Sequence, residues 1–165
     1  MTEKGYKVYG YRWVILIVFM LVNIAIQILW ISFASIGGEA ANFYGVTDLN
    51  IGFLSMIFMV VYVPLSIPVS WLIDKWGFKK AVGLGALIMS VFGLLRGIYA
   101  DEYSLVVITT IGIAVSQPFF LNAFTTVAAK WFSIDERAIA SGLATVAMFV
   151  GIAIGMVITP ILILD

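Results

Sequence analysis

Trp71-Leu72-Ile73-Asp74-Lys75-Trp76-Gly77-Phe78-Lys79-Lys80 is a charged connection set between two apolar runs, each long enough to cross a bilayer. A connection this short predicts that the two runs lie side by side and antiparallel, and its three lysines mark the membrane face on which it sits. Nothing in it or beside it has the pattern of an enzyme site.

Working outward, the same alternation of apolar run and short polar connection covers the chain. The sequence is 63% hydrophobic and 11% charged, with a mean hydropathy of +1.13, against roughly half apolar and a quarter charged in soluble domains. That is the composition of an integral membrane protein. Apolar runs at about 13–36, 50–73, 81–100, 104–129 and 138–163 each reach the ~20 residues that span ~30 Å of hydrocarbon. Five transmembrane helices are expected, and the fold class is all-α. The first run exceeds the about 7 to 15 apolar residues of a signal-peptide core, so a retained helix is expected.

Formal net charge is zero, but the charges are sorted. Lys4, Lys7 and Arg12 precede the first span, Lys75, Lys79 and Lys80 follow the second, and Lys130 and Arg137 follow the fourth. The opposite connections hold only Glu39, Asp48, Asp101 and Glu102. Because cytoplasmic loops are enriched in lysine and arginine, the N-terminus is expected to be cytoplasmic, in a cytoplasmic or plasma membrane. An odd number of spans then places Asp165 outside, directly after the last helix, so a truncated product or a fragment is expected.

Cysteine and histidine are both absent, which excludes disulfides, thiolate or imidazole metal ligation and a histidine proton shuttle. The paired-histidine pattern of membrane metalloproteases is excluded as well. No enzyme activity, cofactor or nucleic-acid partner is expected. No Asp or Glu falls within a span except Asp74 at the mouth of the second, so the buried carboxylate relay common in proton-coupled carriers is missing.

Local signals support the spans. Thr47 or Asp48 is placed to cap the second and Asp101 the fourth, while Ser133-Ile134-Asp135-Glu136 has the form of a capping box opening the fifth. Prolines 64, 68, 118 and 160 lie inside spans, and Pro118 predicts a kink beside Gln117. Asn23, Gln27, Trp30 and Ala34 follow one helical stripe, as do Thr110, Ala114, Gln117 and Leu121. Polar groups are costly in lipid, so both stripes should face the bundle interior or a wet cavity. Interhelical hydrogen bonding, worth ~0.6 kcal/mol per contact, and contact with a ligand both remain open for them. Arg96 is the lone ionisable residue deep in a span and is expected to snorkel toward Asp101 or Glu102. Gly151 and Gly155 form a small-residue motif for close helix contact, and Phe119-Phe120 reads as lipid- or core-facing filler.

The opening stretch resembles the motif between the second and third helices of the major facilitator superfamily, in which Leu72, Asp74, Lys75, Gly77, Lys79 and Lys80 fit, the last basic residues one position late, and Ser70 replaces the first glycine. The resemblance implies an N-terminal six-helix lobe of a twelve-helix carrier, lacking here its sixth helix and the C-terminal lobe that would be its partner. Asp74, Lys75, Gly77, Lys79 and Lys80 would then form a gating motif, Asp74 facing a helix N-terminus across the lobe interface.

Phe43-Tyr44-Gly45-Val46-Thr47, Leu54-Ser55-Met56, Tyr62-Val63-Pro64-Leu65, Ser116-Gln117-Pro118-Phe119 and Trp131-Phe132 look like the feline leukaemia virus subgroup C receptor family, linked to choline, ethanolamine and haem transport. That family's substrate-lining tryptophan and glutamine fall on Trp30 and Gln117, members of the two stripes already found. The face of a tryptophan attracts a quaternary ammonium, by up to about 2 kcal/mol when desolvated. The substrate-binding set is therefore expected to be Trp30, Gln117, Gln27 and Asn23. Departures are a fourth span with no basic residue between Thr109 and Ser116, and Met156 after Gly155 where the antiporter motif has proline. The resemblance implies a secondary transporter moving a small organic solute, choline or a related organic cation first, by alternating access in the full-length protein. An exporter of drugs or metabolites, haem included, and a non-transporting receptor or assembly subunit are the alternatives.

Overall fold

The computed structural model describes residues 10–163. Its helices are α1 (Arg12–Ile31), α2 (Gly37–Tyr44), α3 (Asp48–Trp76), α4 (Phe78–Ile98), α5 (Tyr103–Leu121), α6 (Phe124–Trp131) and α7 (Arg137–Ile163), with short 3-10 turns at Phe33–Ile36 and Ile134–Glu136. Among the described residues there is no strand. They compose five spans long and apolar enough to cross a membrane, Arg12–Tyr44, Asp48–Trp76, Phe78–Ile98, Tyr103–Trp131 and Ile134–Ile163. The protein is an all-α integral membrane protein.

The packing follows the rules of a solvent that is itself apolar. Large side chains such as Ile67, Leu94, Phe149 and Leu162 point outward, where lipid receives them at no cost. Small residues bring the helices together. The buried face of α7 is Ala140, Ala144, Ala147, Gly151 and Gly155, and it lies along α1, its main neighbour. A β-carbon on Gly151 would stand 2.6 Å from the Ile24 carbonyl oxygen, and one on Gly155 would overlap Ile31. The close-contact reading of these glycines is thus correct, and α1 is the surface they meet. Gly85 does the same for α4 against Phe119 of α5. Phe119 and Phe120 are core residues, not lipid-facing ones.

The opening stretch is tighter than its sequence suggested. α3 continues through Trp76 and α4 begins at Phe78, so Gly77 is the whole connection. It has φ +86° and ψ 154°, a conformation essentially restricted to glycine. α3 and α4 are joined at that end, yet each packs far more extensively on α5 than on the other. The side-by-side expectation therefore gives way to a central α5: 61% of the most apolar stretch of the fourth span is buried, against 17% to 28% in the other four.

The first span is longer than expected and broken. The α-helix stops at Ile31, a 3-10 turn follows, and α2 carries the chain on to Tyr44. The serines of the break satisfy backbone carbonyls themselves: the Ser32 hydroxyl donates to the Leu29 carbonyl at 3.1 Å and Ser35 to that of Ser32 at 2.8 Å. Ala34 consequently leaves the stripe and is exposed. α2 ends at Gly45, φ +65°, where the Val46 amide reaches back to the Ala41 carbonyl at 3.0 Å and the Gly45 amide to that of Asn42 at 3.4 Å, the Schellman pattern.

Arg96 does not snorkel. It is 9% exposed and turns inward to the broken end of α1, donating to the Leu29 carbonyl at 3.0 Å and the Ser32 hydroxyl at 3.4 Å over the ring of Phe33. A guanidinium at a helix C-terminal break adds a charged donor to a terminal carbonyl and meets the negative end of the helix dipole, which outweighs the pull of the interface. α5 runs through Pro118 to Leu121. The break comes at Asn122 and Ala123, beyond α5, where the Asn122 side chain leaves its own helix for α3.

Caps divide in the same way. Thr47 accepts from the Asn50 amide at 3.4 Å, as expected. Asp101 does not cap the fourth span, whose N-cap is Glu102 without a side-chain bond. The Ser133 hydroxyl bonds the Glu136 carboxylate at 2.9 Å in place of reciprocal backbone caps, because that carboxylate is also held by Arg12 at 2.6 Å. This ion pair, the position of Lys79 5.4 Å from the Trp131 ring, and the bond from Arg137 to the Phe132 carbonyl gather the basic residues at one end of the bundle. Lys4 and Lys7 lie outside the described residues.

Candidate functional site

The two polar stripes meet only in part, and where they meet there is a cavity of about 390 Å³. α1 supplies Gln27 and Trp30, α5 supplies Gln117 and Leu121, α3 supplies Phe58, Met59 and Tyr62, and α7 supplies Met148 and Ile152. Helical spacing explains the set. Gln27 and Trp30 are three apart on α1, Gln117 and Leu121 four apart on α5, and Met148 and Ile152 four apart on α7, so each helix offers one face. Gly151 lies between the two α7 residues, and its missing side chain lets that helix approach the Gln27 β-carbon. The close packing of α1 on α7 thereby shapes the cavity wall.

The polar groups here differ from those elsewhere in the bundle. Thr109 and Ser116 bond back to carbonyls of their own helix, the usual way to satisfy a hydroxyl in lipid. Gln27 and Gln117 are 2% and 8% exposed, line the cavity, and form no side-chain hydrogen bond among the described residues. Neither amide is among the enclosed unpartnered groups of the described residues, which are Arg12 Nε, Asn23 Oδ1, Ser55 Oγ and Thr110 Oγ1; both open onto the cavity, where water or a ligand can answer them. The Trp30 indole N–H donates to the Ser55 carbonyl at 3.1 Å. That bond takes the polar edge of the ring and leaves its faces for contacts of other kinds.

The remaining expected residues fall elsewhere. Asn23 is fully buried one turn below Gln27, donates to the Phe19 carbonyl at 2.8 Å and does not line the cavity. Thr110 and Ala114, the other half of the α5 stripe, are packed in the core. The Asp74 group is at the far end of α3: Asp74, Lys75, Lys79 and Lys80 are exposed, and Lys75 lies 4.6 Å from the Trp71 ring centre. Among the described residues, Asp74 has no ion-pair partner.

Tyr62 and Asn122 were not among the expected site residues. The Tyr62 hydroxyl donates to Asn122 Oδ1 at 2.9 Å, while Asn122 Nδ2 donates to the Ser66 carbonyl at 2.8 Å and to Ser70 Oγ at 2.9 Å. The sequence carried a signal for this cluster, since Tyr62, Ser66 and Ser70 recur every fourth residue on a lipid-embedded helix. Asn122, separated from them by a whole span, gave none.

The Major Facilitator Superfamily family model matches residues 8–165. The chain is similar to an uncharacterized MFS-type transporter of Caenorhabditis elegans, at 33% identity over 159 residues covering 95% of this chain and 27% of the relative. It is similar to the choline/ethanolamine transporter flvcr2b of Danio rerio, at 33% over 165 residues covering 98% of this chain and 34% of the relative. It is also similar to the choline/ethanolamine transporter FLVCR2 of Homo sapiens, at 30% over 159 residues, 95% and 30% of the two chains. The chain spans about a third of the length of these curated relatives. A match running from residue 8 to the last residue, on a bundle of five apolar spans, has one reading: the chain belongs to the Major Facilitator Superfamily.

Proposed function

We propose that these five spans belong to the N-terminal lobe of a secondary transporter that moves a small organic cation, choline or a related amine, by alternating access in the full-length protein. The observation that supports this best is the convergence of Trp30, Gln27 and Gln117 on one cavity, onto which both amides open. An aromatic face attracts an ammonium group without the desolvation cost of burying a carboxylate. The amides supply neutral donors and acceptors for the rest of a polar solute. The names of the choline/ethanolamine transporters among the relatives favour the same solute class.

In this reading the basic end of the bundle, with Arg12, Lys79 and Arg137, is cytoplasmic. Asp74 and its lysines then form a gate element, and the exposure of Asp74 leaves its carboxylate free to meet a helix of a second lobe. Uptake by the full-length protein tests the proposal. Trp30→Ala and Gln117→Ala are expected to abolish or strongly reduce transport of choline or a related amine at unchanged membrane abundance. Unchanged transport of every tested amine in both variants would overturn the site.

A further inference from the structure

Tyr62 is shared between two environments. Its side chain lines the cavity with Trp30 and Gln117, while its hydroxyl is tied to Asn122. The direction of that bond follows from its neighbours. The Ser66 carbonyl, 2.8 Å from the Asn122 amide, can only accept, so the amide must present its NH₂ group there. Reversing it would set two carbonyl oxygens against each other. The second amide hydrogen goes to Ser70 Oγ at 2.9 Å. Asn122 Oδ1 is therefore the atom that faces Tyr62, and Tyr62 must spend its single proton on it. What the phenol has left is lone-pair density.

We propose that Tyr62 is a specificity-determining residue of the cavity, locked by Asn122 as a hydrogen-bond acceptor, and that the solute it selects carries a hydroxyl or N–H donor beside its cationic centre. This deepens the solute-carrier reading above and rests on it. Amino alcohols and primary or secondary amines meet the requirement. A quaternary ammonium whose hydroxyl has been capped does not. Asn122 acts through Tyr62 and is a positioning residue, held at the break between α5 and α6 where its side chain is released from its own helix. Ser66 sets the polarity of the relay and Ser70 only reinforces it.

The test measures binding of choline and of its O-methyl ether, which keeps the cation and deletes the donor, to the purified full-length carrier. The wild type is expected to favour choline by about fivefold, the worth of one hydrogen bond. Tyr62→Phe keeps the ring, removes the acceptor and should bring the ratio close to one. Asn122→Ala releases the Tyr62 proton to donate and should also lower the ratio. Ser70→Ala leaves the Ser66 anchor in place and should preserve it. An unchanged ratio in Tyr62→Phe, or no preference in the wild type, overturns the inference. Where Tyr62→Phe does not fold, the ratio in Asn122→Ala decides. Choline binding that survives both Trp30→Ala and Gln117→Ala would overturn the cavity and this inference together, an outcome separable from loss of the Tyr62 effect alone.

Discussion

At the scale of the residue, lipid makes every unsatisfied polar group conspicuous, and three positions show how differently such groups are resolved. Arg96 joins the Ser32 hydroxyl on the Leu29 carbonyl where α1 breaks. Replacing it by methionine keeps most of the volume and removes the charge-assisted bonds. Arg96→Met is expected to lower stability by about 1–3 kcal/mol, with Arg96→Lys intermediate because an ammonium cannot fork between Leu29 and Ser32. Thermal unfolding of the detergent-solubilised full-length protein measures both. Gln27 and Gln117 open onto the cavity, whereas Asn23 Oδ1 and Thr110 Oγ1 are enclosed without a partner. Gly77 is a backbone case: a β-carbon there would meet nothing within 4 Å, so Gly77→Ala isolates the conformational cost of its positive φ. The expected loss is about 1–3 kcal/mol. Gly83→Ala, at an exposed helical site with open space around it, should be neutral or slightly stabilising.

Two elements carry the architecture. The pairing of α1 with α7 depends on approach, not on large apolar side chains. A β-carbon at Gly151 meets the Ile24 backbone, whereas one at Gly142 meets nothing within 4 Å. Gly151→Ala is expected to cost about 1–3 kcal/mol through overpacking and to weaken solute binding as well, since Gly151 sets how closely Met148 and Ile152 approach Gln27. Gly142→Ala should do neither, and paired unfolding and binding curves separate the effects. The broken first and fourth spans are the other feature of this scale. Both breaks lie beyond the cavity residues, at Ser32 after Trp30 and at Asn122 after Gln117. Each is fastened to a neighbouring helix by one polar side chain, Arg96 in the first case and Asn122 in the second.

The described residues form a bundle whose exterior is as apolar as its interior, with polar groups at one cavity, in inter-helix ties, in side chains bonded back to their own helix and at two charged ends. The exposed Asp74 has no ion-pair partner among the described residues, and the gate proposed above would supply one from a second lobe. In the full-length carrier, Asp74→Asn is expected to slow transport severalfold while solute affinity changes little, because only the conformational cycle uses the contact. Comparing maximal transport rate with equilibrium binding measures this, and equal losses in both would remove the gating role.

The residues and their order were enough to determine the membrane class, the five spans and the sorting of charge to one end. Each depends on composition along the chain or on run length. The stripe on α1 led to Trp30 and Gln27, and that on α5 to Gln117, since helical periodicity alone puts those residues on one face. Tertiary structure decided which parts of the stripes meet. Asn23 and Thr110 share those faces but sit where the helices are already packed together. It also turned Arg96 inward and placed the break of the fourth span at Asn122. The physical reason is common to all of these. A polar group in lipid takes whichever partner lies within reach, on its own helix for Asn23 and on another for Arg96 and Asn122, and no spacing along one helix reveals which.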